Sequence, residues 1–338
     1  MKSNRTVFCI LFFFVSAAMF ANGISLNSIG SRAFGMGGAF VAVADDATAI
    51  HWNPAGLAGQ RGSILLFGTD VVPMSSYRPL GSPVKYKSKI NHYITPNLFA
   101  NYSYGKWGFG LSAFFPAGIG VEYDEKKLGG FKTSNKIGIM NISPAAAYQI
   151  NEYISVGAGL NFYYGLLELH RMQSVPVAPG VEMPFQYNED ISGWGVGASF
   201  GVKVTPSEDL SFGLSIKTPY KVTLKGDSEL GPMKFKAERK VTFPLWVGIG
   251  AAGKFAENLL VSIDMQYSGW SELKTFDLTL DPGKATEQKT STRMDWLDQV
   301  QFRIGSEYNL NKNIDLRLGY YHDPAPSPDK TLIMLFPS

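Results

Sequence analysis

Beyond residue 60 the chain repeats one pattern: a large apolar side chain at every second position, with glycine, serine or another small or polar residue between. In the segment from Tyr153, Ile154, Val156, Ala158, Leu160, Phe162 and Tyr164 fall on one face. Ser155, Gly157, Gly159, Asn161 and Gly165 fall on the other, with Tyr163 as the one large exception. Trp194, Val196, Ala198, Phe200, Val202 and Val204 likewise face away from Gly195, Gly197, Ser199, Gly201, Lys203 and Thr205. Val300, Phe302 and Ile304 alternate with Gln301, Arg303 and Gly305, and Ile314, Leu316, Leu318 and Tyr320 with Asp315, Arg317 and Gly319. A period of two is that of a β-strand, whose side chains alternate across the sheet. A soluble sandwich also alternates, but it turns its apolar face inward and carries more Lys and Glu outside. Here only 17% of the 338 residues are charged and 36 are glycine, so the small rows read as a wall facing a lumen.

No stretch after residue 23 has the long apolar run that a membrane-spanning helix needs, so any later crossing is by strands. Trp107, Tyr164, Trp194, Tyr267, Trp270, Trp296 and Tyr320, near strand ends, are expected in interfacial girdles. Connections alternate in length. Short polar turns fall at Gly105-Lys106, Asn151-Glu152, Ser207 to Asp209, Glu257-Asn258 and Asn311 to Asn313. Longer links occupy about 71–92, 117–136, 166–190, 226–240 and 278–293. Short turns on one rim and long loops on the other are the arrangement of outer-membrane barrels. About eleven strands are expected, near 62–70, 94–104, 107–116, 137–149, 153–165, 192–205, 209–224, 241–255, 258–277, 296–309 and 313–321.

The amino terminus reads as an export signal over residues 1–23. Lys2 and Arg5 precede the apolar run Thr6 to Ala21, short for a spanning helix, and Ala21-Asn22-Gly23 supplies small residues for cleavage. Cys9 lies inside that run and is the only cysteine, so the mature chain has no disulfide or thiolate metal site. The formal net charge is +3 and its cations are scattered, which excludes the clustered basic face of a nucleic-acid binder.

Matches to catalytic motifs dissolve in context. Gly197-Ala198-Ser199-Phe200-Gly201 has the letters of a nucleophile elbow, yet Ser199 is mid-strand in a continuing alternation. Gly248 to Gly253 fits a dinucleotide fingerprint, but a turn and a strand follow it instead of a helix. His51, His92, His170 and His322 have no metal-ligand spacing, and Asp45-Asp46 reads as a solvated helix end. No catalytic residue, metal or cofactor is expected.

The segment Gly30 to Gly59, GSRAFGMGGAFVAVADDATAIHWNPAGLAG, concentrates restrictive residues. Gly35, Gly37 and Gly38 permit a tight backbone, Phe40 to Trp52 is expected to form a small apolar helix, and Asn53, Pro54, Ala55 and Gly56 stop it. It resembles the amino-terminal hatch of the FadL/TodX (OmpP1) family of outer-membrane transporters of long-chain fatty acids and hydrophobic compounds. Leu318 to Asp329, LGYYHDPAPSPD, more weakly resembles that family's late strand and Pro-rich extracellular loop.

The resemblance implies an all-β transmembrane antiparallel barrel, fourteen-stranded in the family, with a hatch over residues 24–60 plugging the barrel of residues 61–338. About eleven strands are present here, so a carboxyl-terminal truncation is expected. It also implies passive uptake of hydrophobic molecules such as fatty acids, released sideways into the outer-membrane lipid. The alternative is a non-transporting barrel that docks exported proteins. Phe114, Phe115, Tyr163 and Trp246 are candidate apolar contacts for cargo, and Lys203, Arg303 and Arg317 candidate partners of a carboxylate head or of lumen acids. Pro116 is the candidate lateral exit, because proline breaks a strand's ladder. Oligomeric state is not legible.

Overall fold

A computed structural model describes residues 23–78 and 83–331. The export signal, except Gly23, therefore lies outside the described residues. The strands are β1 (Ser63–Val71), β2 (Ser76–Tyr77), β3 (Tyr86–Lys87), β4 (Tyr93–Tyr104), β5 (Trp107–Glu122), β6 (Ser134–Gln149), β7 (Ile154–Ala178), β8 (Val181–Ser207) and β9 (Leu210–Lys217). They continue as β10 (Tyr220–Leu230), β11 (Met233–Phe243), β12 (Trp246–Ala256), β13 (Leu259–Ser268), β14 (Thr275–Leu280), β15 (Gln288–Arg293), β16 (Gln299–Asn311) and β17 (Ile314–His322).

Eleven of them form one antiparallel wall in the order β1-β4-β5-β6-β7-β8-β9-β12-β13-β16-β17, and among the described residues β1 and β17 are not paired with each other. The alternation predicts this wall strand for strand. It misses where three strands leave it. The expected strand 209–224 divides at Thr218-Pro219 into β9 and β10, 241–255 divides at Pro244-Leu245 into β11 and β12, and 258–277 divides at the turn Trp270–Glu272 into β13 and β14. A proline has no N–H for the ladder, so the first two breaks release the upper half from the wall, and the third does so at a 3-10 turn, where i to i+3 bonds replace the ladder. Those halves build a side sheet in which β10 pairs with β8 and β11, and β14 with β11 and β15. The link expected at 166–190 is likewise mostly strand: β7 and β8 stay in register from Ile154↔Val204 to Pro176↔Glu182.

The apolar rows point outward, as expected of a lipid-facing surface: Leu160, Val196, Phe302 and Leu318 are 55%, 60%, 54% and 68% exposed. Trp270 and Trp296 depart from the girdle expectation. Both are buried inside, edge to face with centroids 4.9 Å apart, because the turn at Trp270–Glu272 and the segment before β16 fold inward beneath the side sheet.

Residues 24–60 lie within the wall. Ser31–Gly35 is the helix α1, followed by a turn in which Gly37 and Gly38 take φ values of 64° and 76°, a region open to glycine. The expected helix Phe40 to Trp52 is confined to α2, Ala49–Trp52. The reason is competition for backbone groups. The Val41 carbonyl accepts from Asn53 Nδ2 at 3.0 Å, the Ala42 carbonyl from Ser211 Oγ at 3.1 Å, and the Val43 carbonyl from Lys203 Nζ. The Phe40 and Val41 N–H groups donate to Asp264 Oδ2 at 2.8 and 2.9 Å. Wall side chains and Asn53 of the hatch itself thus take groups that an internal helix ladder would use.

Candidate functional site

The hatch seats on glycines. A Cβ on Gly157 would strike the backbone of Pro54, on Gly201 the Asn53 amide, on Gly213 the Val41 carbonyl, on Gly305 the Met36 carbonyl and on Gly319 the Gly37 nitrogen. The small inner rows are therefore small so that the hatch backbone can touch the wall.

Asn53 is the central clasp. Its Nδ2 donates to the carbonyls of Val41 and Val202, both at 3.0 Å, and its Oδ1 accepts from Ala55 N at 3.2 Å, capping the 3-10 turn Pro54–Leu57. The Ala55 carbonyl accepts from Ser155 Oγ at 2.9 Å, and Gly56 leaves room for the Ala44 carbonyl. Gly35 packs on Arg317. All seven hatch candidates thus lie at contacts within the hatch or between it and the wall. A second clasp is ionic: Arg32 of α1 donates to Glu307 of β16 at 2.8 and 2.9 Å and to Asp45, and the two carboxylates hold its guanidinium above its ordinary pKa despite burial.

Between the hatch and the side sheet is a cavity of about 100 Å³. Hatch residues Ile50, His51 and Trp52 line it, with Phe114, Tyr163, Lys217, Tyr220, Phe243, Trp246 and Arg303 from the surrounding strands. Parallel rings form one wall: Tyr163 stacks on Tyr220 at 3.6 Å and Tyr220 on Phe243 at 4.7 Å. Of the candidate apolar contacts, Phe114, Tyr163 and Trp246 reach the cavity. Phe115 does not: it is half-buried in a bulge, its N–H donating to Asn97 Oδ1 at 3.1 Å.

The three cationic candidates separate. Arg303 lines the cavity, but its Nη1 donates to the carbonyls of Asn27 and Gly37 at 2.8 and 3.1 Å, and Nη2 lies 3.7 Å from Asp323. Lys203 reaches the Val43 carbonyl and Arg317 pairs with Glu307 at 2.6 Å; neither lines the cavity. Sequence reasoning missed Lys217. Its Nζ lies 4.1 Å from the Trp246 ring centre and 3.4 Å from His51 Nε2, and it forms no ion pair among the described residues. The signal was available in the inward row Ser211, Gly213, Ser215, Lys217.

Pro116 sits in the bulge where the β5–β6 register shifts between Phe114 and Ala117. Above Ala113, β5 no longer pairs with β4, whose upper half pairs with β1 alone. The start of the hatch occupies this gap: Leu26 N donates to the Pro116 carbonyl at 2.9 Å, and Gly118 N to the Ile24 carbonyl at 2.8 Å. Ser199 and Gly248–Gly253 lie within continuous strands, without the helix that either motif requires.

Comparison with known proteins agrees with this architecture. The family described as outer membrane protein transport protein (OMPP1/FadL/TodX) matches residues 12–338. Outer membrane protein P1 of Haemophilus influenzae is 21% identical over 92% of this chain and 79% of its own length. The long-chain fatty acid transport protein of Escherichia coli is 22% identical over 95% and 82%. Among solved structures, the toluene transporter TbuX of Ralstonia pickettii superposes with a TM-score of 0.78 at 21% identity, covering 88% of this chain and 86% of that one. A FadL homologue of Pseudomonas aeruginosa gives 0.78 at 16% identity, covering 93% and 84%.

Proposed function

This chain belongs to the OMPP1/FadL/TodX family of outer-membrane transport proteins, and on that premise we propose that it takes up amphiphilic hydrophobic molecules, long-chain fatty acids foremost, by passive passage through the plugged barrel. The observation that carries the reading is Lys217: an amine in an aromatic-walled cavity, with no carboxylate paired to it among the described residues. An amine so placed fits an acidic head group, whose carboxylate holds it in the charged form, and the rings around it fit an apolar body. An uncharged hydrocarbon would use only the second feature.

The size of the cavity adds a requirement. A void of about 150 Å³ holds one benzene, so a space of about 100 Å³ does not take a long acyl chain while the hatch is seated. The segment Ser25 to Asn27, which lines the cavity and occupies the gap beside Pro116, is the part whose movement would admit the tail and open a path to lipid. In this reading the residues at Asn53 and Gly37–Gly38 hold the hatch while its start moves.

The test is titration calorimetry of the full-length protein in detergent with dodecanoic acid and with dodecane. Lys217→Met is expected to weaken the acid by about ten- to a hundred-fold, the worth of one charge-assisted hydrogen bond, and to leave the alkane unchanged. Equal losses for both ligands refute the head-group role. Binding of neither by the wild type refutes the transport reading.

A further inference from the structure

The inner row continues beside Lys217 with buried polar groups that the head-group site does not use. Ser199 of β8 is the ladder partner of Lys217, and Asn161 of β7 and Asn141 of β6 follow on the next two strands. All three line the cavity, and Asn141, Asn161 and Ser199 are 4%, 4% and 2% exposed. Asn141 Nδ2 donates to Asn161 Oδ1 at 3.1 Å. That one bond leaves Asn141 Oδ1 and Asn161 Nδ2 buried without a partner, and Ser199 Oγ as well.

The pair offers one acceptor and one donor. Turning both amides over exchanges which residue supplies which, but the offer stays the same. A single hydroxyl, which both donates and accepts, complements it. A methylene in the same place would leave two buried polar atoms unmet, the costly case for a polar group out of water.

We propose that the Asn141–Asn161 pair receives a hydroxyl of the cargo, so that the preferred cargo is a hydroxylated long-chain carboxylic acid rather than the plain acid. The carboxylate lies at Lys217 with Ser199 beside it. The hydroxyl lies two to three strand spacings away, roughly 10–14 Å, which places it partway along an acyl chain and not next to the carboxylate. The inference rests on the cavity being the cargo site.

Calorimetry on the full-length wild type decides it, with octadecanoic acid and its mid-chain hydroxy derivative as probes. The hydroxy acid is expected to bind about tenfold or more tightly, since it satisfies two buried atoms at once. Asn141→Leu with Asn161→Leu, which keeps the branched shape and removes both polar groups, is expected to abolish that preference, because octadecanoic acid then leaves no polar atom of the pair unmet. Equal wild-type affinities for the two acids would overturn the hydroxyl site and leave the cargo cavity standing, because ordered water then serves the pair as well as a ligand. A preference that survives in the double variant would also overturn it. Binding of neither acid would remove both readings. The wild-type comparison stands even where the double variant does not fold.

Discussion

Replacing Asn53 with Ala tests whether the hatch is held by one clasp or by many. The substitution removes three hydrogen bonds, to the Val41 and Val202 carbonyls and from Ala55 N, at a residue with no solvent exposure. At about 0.5–1.5 kcal/mol each the net loss is roughly 1.5–4.5 kcal/mol. Barrel strands do not depend on these bonds, so the loss falls on seating of the hatch. Amide exchange through local opening reads that free energy directly: exchange of residues 40–57 is expected to accelerate by about ten- to two-thousand-fold, with the amides of β7 unchanged. Hydrogen-exchange mass spectrometry of wild type and variant in the same detergent measures both regions in one experiment. If residues 40–57 exchange at the wild-type rate in a folded variant, the remaining contacts, among them those of Asp264, Lys203, Ser211 and Glu307, hold the hatch without it, and the gating role given to Asn53 is refuted.

The remaining predictions concern charge. His51 is held well below its ordinary pKa, near 6.5, by burial and by the positive Lys217 and Arg303 that face it. Seating is therefore unaffected above that pH; as pH falls below about 6.5 the displaced hatch gains a proton that the seated one refuses, and seating weakens by about 1.4 kcal/mol per pH unit. Exchange of residues 49–57, corrected for the intrinsic rate, should show this, and His51→Gln should flatten it; a flat wild-type profile refutes it. In the side sheet Glu189 and Arg239 form a buried ion pair, with Arg239 Nη2 to Glu189 Oε2 at 2.8 Å and the guanidinium over the Phe276 ring. Glu189→Ala leaves that cation buried and unpaired at a cost of about 3–5 kcal/mol, so protease should cut β10, β11 and β14 sooner while the wall stays intact; unchanged cutting refutes it.

Much of the wall is legible in sequence because alternation is a binary pattern repeated many times, and a shift by one residue would put every large side chain on the wrong face. The side sheet is not, because Pro219 and Pro244 interrupt the ladder without interrupting the alternation on either side. The helix expected from Phe40 fails for a long-range reason. Its backbone groups are claimed by Asp264, Ser211 and Lys203, residues more than 150 positions away in sequence. The cavity was partly legible: Phe114, Tyr163, Trp246 and Arg303 reach it, whereas Lys203 and Arg317 stood out as charges in glycine rows yet turn to the hatch and to Glu307. Lys217 carried the same inward parity but was hidden at a strand end beside Thr218-Pro219.

The glycines that receive the hatch are spread over at least five strands: Gly157 on β7, Gly201 on β8, Gly213 on β9, Gly305 on β16 and Gly319 on β17. In each, the neighbouring position carries a large side chain or a branched one, as with Val156, Val202, Phe212, Ile304 and Leu318. A one-residue slip of any one strand would push such a side chain into the space where hatch backbone now lies. Seating of the hatch backbone against these glycines therefore requires all five strands to hold the correct register at once.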